Sequence, residues 1–88
     1  MSRYTVVWWP RAEADLAEIW TTTKDRASVS AAANQIDQRL ARKPRVWGQQ
    51  LRDSRFRAEI GTLRVYYRVS DDDRRVEVVG IAEIHEDD

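Results

Sequence analysis

The sequence predicts a single α+β domain over residues 1–88, in the order β-α-α-β-β-β, with a mainly antiparallel sheet packed against a helical hairpin. Three observations predict this class. The chain is long enough for one hydrophobic core and too short for two. Apolar residues recur at helical spacing in the first half and alternate with charged residues in the second. The change of period falls in a loop over residues 44–50, which contains a proline and a glycine.

The first strand and the first helix are predicted to meet at a proline. Residues 3–9 are mostly β-branched and aromatic, as in strands. Pro10 suits the first turn of a helix, where its missing N–H costs nothing. The apolar stripe that follows consists of Ala12, Leu16, Ile19 and Trp20. The three threonines at 21–23 lose rotamer freedom in a helix, so we expect the first helix to end there.

The second helix is predicted to begin near Ser28, a residue type that caps helices. Its apolar seam consists of Val29, Ala33, Ile36 and Leu40. Lys43 precedes Pro44, which disfavours helical geometry at Lys43 and ends the helix. Because only a short link joins the two helices, they are expected to form an antiparallel hairpin.

Three further strands are predicted at residues 55–60, 63–69 and 76–81, where apolar and polar residues alternate. Gly61 and Thr62 form a two-residue connection, which is typical of a tight β-hairpin. Counting outward from this turn gives the cross-strand pairs of the face opposite the core, which are Arg55 with Arg68, Arg57 with Tyr66, and Glu59 with Arg64.

This polar face of the hairpin is predicted to bind phosphate. Arg55 and Arg68 would lie directly opposite each other, and like charges in this position destabilise a sheet. A phosphate between the two guanidinium groups would relieve the repulsion, since each can bind it with two hydrogen bonds. Tyr66 would add a ring on which a base stacks, or a hydroxyl that reaches the phosphate. The alternative interpretation is an ordinary solvated surface.

The net charge of zero conceals a strong asymmetry along the chain. Residues 39–68 contain nine basic and two acidic side chains, whereas residues 70–88 contain two basic and eight acidic ones. A concentrated positive field attracts phosphates, which favours an anionic partner such as RNA or DNA. The alternative is that the two halves neutralise each other, with the acidic segment screening the basic one.

Composition excludes several classes of function. The absence of cysteine excludes disulfides and thiolate metal sites, and a single histidine with scattered carboxylates does not predict a metal site. No apolar run approaches the ~20 residues that span a bilayer, and the N-terminus lacks a signal-peptide pattern. We therefore expect a cytoplasmic protein without a metal, a cofactor or a membrane partner.

Two segments, VVWWPRAEADLAEIW and FRAEIGTLRVYYRVSDDDRRVEVVGI, carry a family resemblance. The first resembles an aromatic–(Ser)–Pro–acidic–Asp-Leu–x-x-Ile-Trp pattern. The second resembles a basic strand, a glycine turn, a Tyr-Arg-Val-x-Tyr-Arg-Val strand and a valine-rich strand. Both patterns belong to the RelE/ParE superfamily of toxins from bacterial type II toxin–antitoxin systems. The resemblance covers roughly Tyr4 to Ile81 and implies the fold predicted above.

The resemblance also implies a cognate antitoxin and one of two targets. RelE-like members cleave ribosome-bound mRNA and ParE-like members poison DNA gyrase. Two further alternatives are a degenerate toxin that only binds its antitoxin and a plain RNA-binding domain. The four tryptophans, Trp8, Trp9, Trp20 and Trp47, are expected in the core or between helices; if more than one is exposed, we expect them to mark the antitoxin groove.

For mRNA cleavage, the resemblance implies catalytic roles for basic residues of the hairpin, namely Arg57 (or Arg55) and Arg64. Arg55, Tyr66 and Arg68 are predicted to bind nucleic acid. His85, the only histidine, is the candidate general acid or base, with Glu83 and Glu86 as alternatives.

This sequence departs from RelE-like relatives at three places. Glu59 replaces a common arginine and is predicted to pair with Arg64. Trp9 replaces the usual serine cap. Residues 82–88 replace a basic segment that contains a tyrosine. These departures count against cleavage, whereas the helical hairpin at residues 10–43 is shorter than in ParE-like relatives and counts for it. The resemblance therefore implies mRNA cleavage first, with gyrase poisoning as the alternative.

Overall fold

In a computed structural model, which describes residues 3–84, one five-stranded sheet packs against two helices. The elements in chain order are β1 (Thr5–Trp8), α1 (Pro10–Thr22), α2 (Arg26–Arg42), β2 (Gln49–Arg52), β3 (Arg55–Ile60), β4 (Leu63–Ser70) and β5 (Arg75–Glu83). The strand order is β1-β5-β4-β3-β2, with β1 parallel to β5 and every other pair antiparallel. The predicted α+β class is confirmed. No helix within residues 3–84 is long and apolar enough to cross a membrane.

The start of α2 differs from the prediction. Asp25, not Ser28, is the N-cap, since its carboxylate accepts a hydrogen bond from the backbone N–H of Ser28 at 3.1 Å. The Ser28 hydroxyl donates to the other carboxylate oxygen at 2.6 Å. Ser28 was predicted as the cap because its residue type fits, but a carboxylate three residues earlier can accept both hydrogen bonds.

The strand β2 replaces part of the predicted loop at residues 44–50. It pairs with β3 at Gln49–Arg57, Gln50–Phe56 and Arg52–Arg55, with an irregularity at Leu51. All four residues of β2 are exposed, so the strand lacks the apolar alternation by which strands are recognised. It is a short, polar edge strand, a form that protects sheet edges from unwanted pairing.

The core lies between the helices and one face of the sheet. Its largest fully buried side chain is Tyr67, which stacks on Phe56 with ring centroids 5.5 Å apart. Ala32, rather than the predicted Ala33, faces the sheet from α2, where it lies beneath the left-handed Gly61 of the hairpin turn. The other buried side chains are Ala12, Val29, Ile36, Leu40, Ala58, Ile60, Leu63, Val65, Val69, Val76, Val78 and Ile81.

The prediction that the tryptophans lie in the core or between the helices holds for Trp8, which packs against the core, and for Trp20, which links α1 to α2, and is wrong for Trp9 and Trp47. Trp9, Trp20 and Trp47 are 37%, 44% and 45% exposed, whereas Trp8 is partly buried. An indole carries an N–H that needs a partner, which favours sites at the edge of a core. Trp20 accordingly donates to the Ser30 hydroxyl at 3.2 Å.

Candidate functional site

The β3–β4 hairpin has the register counted from the sequence. Its buried face joins the core, and its other face, called the open face below, is exposed or half-buried. The cross-strand pairs of the open face are Arg55 with Arg68, Arg57 with Tyr66, and Glu59 with Arg64. The two-residue turn fixes this register, because a slip by one residue would turn every apolar side chain out of the core.

The neighbouring strands extend the Arg55–Arg68 pair into a row across the sheet. On β2, Arg52 lies opposite Arg55, and on β5, Glu77 lies opposite Arg68. The row therefore contains three guanidinium groups and ends in a carboxylate, although Arg68 and Glu77 form no salt bridge. Glu77 offsets part of the repulsion between the arginines. Arg52 and Glu77 were not predicted at this face, because the pairs counted from the turn belong to the hairpin alone.

Arg64 is already paired at the tip of the hairpin. Its Nη2 lies 2.8 Å from Oε2 of Glu59, and its Nε lies 3.3 Å from the same atom, so the predicted pair is confirmed. The hydrogen bond to Glu59, followed by one to Tyr66, raises the pKa of Arg64 above its ordinary value. Arg64 is therefore a permanent cation whose charge is already compensated by Glu59.

Arg57 lies at the middle of the open face, half-buried and opposite Tyr66. Its Nη2 makes a long contact of 3.4 Å to the side-chain oxygen of Gln49 on β2. This neutral, weak partner leaves the charge of Arg57 available to an anion that approaches the open face.

Two clefts adjoin the Arg55–Arg68 pair. One, of about 260 Å³, is lined by Arg52, Asp53, Ser54, Arg55 and Arg68 at the turn between β2 and β3. The other, of about 300 Å³, extends from Arg55, Tyr66 and Arg68 to Trp9 and Arg11 at the start of α1. Trp9 and Arg11 were not predicted to lie beside these arginines, because only the fold brings the start of α1 next to the hairpin.

Of the candidate acids and bases, Glu83 alone lies within residues 3–84. His85 and Glu86 lie outside the described residues. Glu83 accepts a hydrogen bond from the hydroxyl of Thr23 at 2.9 Å, near the end of α1. Burial raises the pKa of Tyr67 to about 12, so its phenol stays protonated in the core. Within residues 3–84, no three acidic or histidine side chains are placed to hold a metal ion.

Solved structures place this architecture in a known class. A chain of the RelBE2 toxin–antitoxin complex from Mycobacterium tuberculosis is similar over 98% of this chain and 97% of its own, with 27% identity and a TM-score of 0.81. The P. aeruginosa ParDE system matches over 93% and 97%, with 12% identity and a TM-score of 0.68. The isolated E. coli RelE toxin matches over 97% and 88%, with 15% identity and a TM-score of 0.65. The last two likenesses show the fold alone.

The fold is thus that of the RelE/ParE toxins. The family model for the ParE toxin of the type II toxin–antitoxin system parDE matches residues 6–87, and the chain belongs to this family. None of the curated proteins matches the sequence significantly. The predicted superfamily membership and the predicted role as a toxin component are confirmed.

Proposed function

We propose that this toxin inhibits growth by cleaving ribosome-bound mRNA at the open face. The observation that carries the proposal is the row of Arg52, Arg55 and Arg68 beside the Arg57–Tyr66 pair. Cations on neighbouring strands, next to an aromatic ring, suit a flexible single strand with its phosphates and unstacked bases. The cytoplasm, where translation takes place, is the corresponding location.

The reaction needs no cofactor. The 2′-oxygen attacks the adjacent phosphorus and gives up its proton to a base, and the 5′-oxygen leaves with a proton from an acid. The products are a 2′,3′-cyclic phosphate and a 5′-hydroxyl. Arg55 and Arg68 hold the phosphate, and Arg57 and Arg64 stabilise the charge that develops on its oxygens. His85, which follows β5 in the sequence, is proposed as the general acid or the general base for one of these two proton transfers.

A second candidate function is the poisoning of DNA gyrase. The family model that the chain matches is that of ParE toxins, and Glu59 already neutralises Arg64, one of the cations needed for cleavage. Gyrase poisoning would require a binding surface but no general base. A degenerate toxin that binds only its antitoxin is a third outcome of the experiment below.

A cognate antitoxin is the proposed protein partner. The similar structures include toxin–antitoxin complexes from M. tuberculosis and E. coli. A largely apolar groove of about 700 Å³ lies between α1 and α2, and its lining includes Trp8, Trp20, Leu16, Val29 and Ala33. The exposed ring of Trp20 supports this groove as the antitoxin site, since aromatic side chains dominate protein interfaces.

The decisive experiment maps mRNA ends in a translating extract. The wild-type toxin is expected to give codon-phased cuts, which Arg57→Ala and Arg64→Ala reduce by about 10²-fold or more, the loss typical of removing a group that stabilises a transition state. Arg42→Ala, on the exposed surface of α2, is the matched control and should cut normally.

The same proteins are then incubated with gyrase and supercoiled DNA, and with the antitoxin. Intact mRNA together with gyrase-dependent DNA breaks would replace the first function with the second. If neither target is attacked while the antitoxin still binds, the toxin is degenerate.

A further inference from the structure

The cleft of about 300 Å³ beside the open face brings the start of α1 next to strands β3 and β4. Its volume lies at the low end for ligand sites, which fits one nucleotide rather than a duplex. Its principal lining residues are Trp9, Arg11, Arg55, Tyr66, Arg68 and Val79. It is therefore both basic and aromatic.

Two β-bulges shape this cleft. The strand β2 has an irregularity at Leu51, and β5 has one at Val79, opposite Tyr66 and Tyr67. Leu51 and Val79 both line the cleft. Bulges re-aim side chains beside active sites, and here one bulge on each side of the β3–β4 hairpin delivers an apolar side chain to the same cavity. The apolar lining indicates a ligand with a flat apolar part, since a bare anion would not need it.

Trp9 breaks a local rule of helix formation at the edge of this cleft. It is the N-cap of α1, a position that favours a hydroxyl or carboxylate, and its side chain makes no capping hydrogen bond. Its backbone is fixed, because its N–H donates to the Val78 carbonyl at 2.9 Å and its carbonyl accepts from Glu13 at 3.0 Å. The indole is thus a 37% exposed ring on a fixed backbone position, held at a cost in helix stability. Such local conflicts are typical of functional positions.

The charges of the cleft are complementary to phosphate. Arg11, Arg55 and Arg68 line it, no carboxylate does, and within residues 3–84 none of the three forms a salt bridge. The indole N–H of Trp9 likewise has no partner in that part of the chain, whereas Trp8 donates to Asp37 at 2.7 Å. A phosphate and a base would supply the partners these groups lack.

We propose that this cleft is a subsite for one nucleotide of single-stranded RNA, with the base stacked on Trp9 and Tyr66 and its phosphate bound by Arg11. This inference rests on the proposed mRNA cleavage, because the subsite would hold the nucleotide next to the phosphate bound by Arg55 and Arg68. Trp9 and Arg11 are thus positioning residues that set the preference for the base beside the cut.

The test measures binding of a fluorescently labelled single-stranded RNA 12-mer by anisotropy, with a salt series. Trp9→Ser installs a good helix cap, which offsets part of the packing lost with the indole, so the variant should still fold while binding RNA roughly 5- to 150-fold more weakly, the loss of one stacked base. Trp9→Phe should retain most of the affinity. A plot of the logarithm of the association constant against log salt has a negative slope. Arg11→Ala should make this slope shallower by about 0.7, the value for one phosphate contact with a single strand.

Trp20→Ala, at an exposed tryptophan of the α1–α2 groove, is the matched control and should bind as the wild type does. A Trp9→Ser variant that binds RNA with wild-type affinity overturns the subsite, and so does equal or tighter binding of a DNA 12-mer or an RNA duplex.

Cleavage mapping separates this inference from the proposed function. If wild-type toxin leaves mRNA intact while binding still depends on Trp9, the cleavage proposal fails and the subsite stands. If Trp9→Ser cuts mRNA at the same sites and rate as wild type, the subsite fails alone.

Discussion

At the scale of single residues, Tyr67 organises the loop between α2 and β2. Its hydroxyl donates to the carbonyl of buried Pro44 at 2.5 Å, and a Cβ added to Gly48 would collide with the same hydroxyl. The glycine is therefore required by close approach to a buried side chain. This contact fixes the path by which the chain leaves α2 and enters the edge strand that carries Arg52.

The Tyr67–Gly48 contact predicts a non-additive pair of substitutions. Gly48→Ala should lower the free energy of unfolding by about 1–3 kcal/mol through overpacking. Tyr67→Phe should cost about 1–3 kcal/mol, because it leaves the Pro44 carbonyl without its donor. The double variant should cost less than the sum, since removal of the hydroxyl makes room for the new methyl group. Urea unfolding of the four proteins checks this, and strict additivity would refute the contact.

At the scale of elements, Asp71 in the β4–β5 turn joins three segments that are distant in sequence. It accepts hydrogen bonds at 2.7 Å from Arg45, in the loop after α2, and from the hydroxyl of Tyr4, just before β1. These bonds lower the pKa of Asp71, the one from Arg45 most and the one from Tyr4 next. The turn is thereby tied to the segment that leads into β1 and to the loop between α2 and β2.

This network predicts a pH-dependent contribution to stability. Because the folded-state pKa of Asp71 lies below the ordinary value of 3.8, its stabilisation is present above that value and is lost as the pH falls through the folded-state pKa. Asp71→Asn should therefore be less stable than wild type at about pH 5–7, and the difference should shrink under acid.

Thermal unfolding across pH measures this difference. Asp72→Asn, at the next position of the turn, is the control and should remain close to wild type. A wild-type advantage over Asp71→Asn that does not change with pH would contradict the network.

At the scale of the whole molecule, a row of charges crosses four strands. The repulsion within this row lowers the stability of the fold at the place where a phosphate is proposed to bind. Arg52, Arg55 and Arg68 repel one another, and Glu77 at the end of the row offsets part of that repulsion. An RNA phosphate would complete the compensation. The acidic segment at residues 70–88 thus contributes a carboxylate to the basic face, as the alternative of mutual neutralisation expected in part.

The row predicts opposite effects of removing cations and removing the carboxylate. Replacing Arg55 and Arg68 together by Gln should leave stability unchanged or raise it by about 0.2–1 kcal/mol, while toxicity is lost. Glu77→Gln should lower stability at low salt, and this loss should fade at about 1 M salt, where screening acts within about 3 Å.

Chemical denaturation with urea at two salt concentrations, together with a growth assay, measures both effects. A clear loss of stability in the double arginine variant would count against the phosphate site.

The sequence by itself determined the parts of this protein that depend on local periodicity. The register of the β3–β4 hairpin and its Glu59–Arg64 pair follow from a two-residue turn and an alternation of period two. The α+β class follows from the change between helical spacing and that alternation, because these patterns act between near neighbours. They were predicted and are confirmed. The site roles of Arg55, Arg57, Arg64, Tyr66 and Arg68 stay predictions.

Only the tertiary structure decided which distant segments share the open face. The face also includes the polar strand β2, the carboxylate of Glu77, and the side chains of Trp9 and Arg11 at the start of α1. Strand pairings and bulges between segments far apart in sequence bring these groups together, and no local pattern encodes such neighbours. The places of Trp9 and Trp47 were mispredicted for the same reason, since a large apolar side chain looks identical in sequence whether it fills a core or lies at the surface. Burial is a property of the assembled fold, and so is the composition of the site.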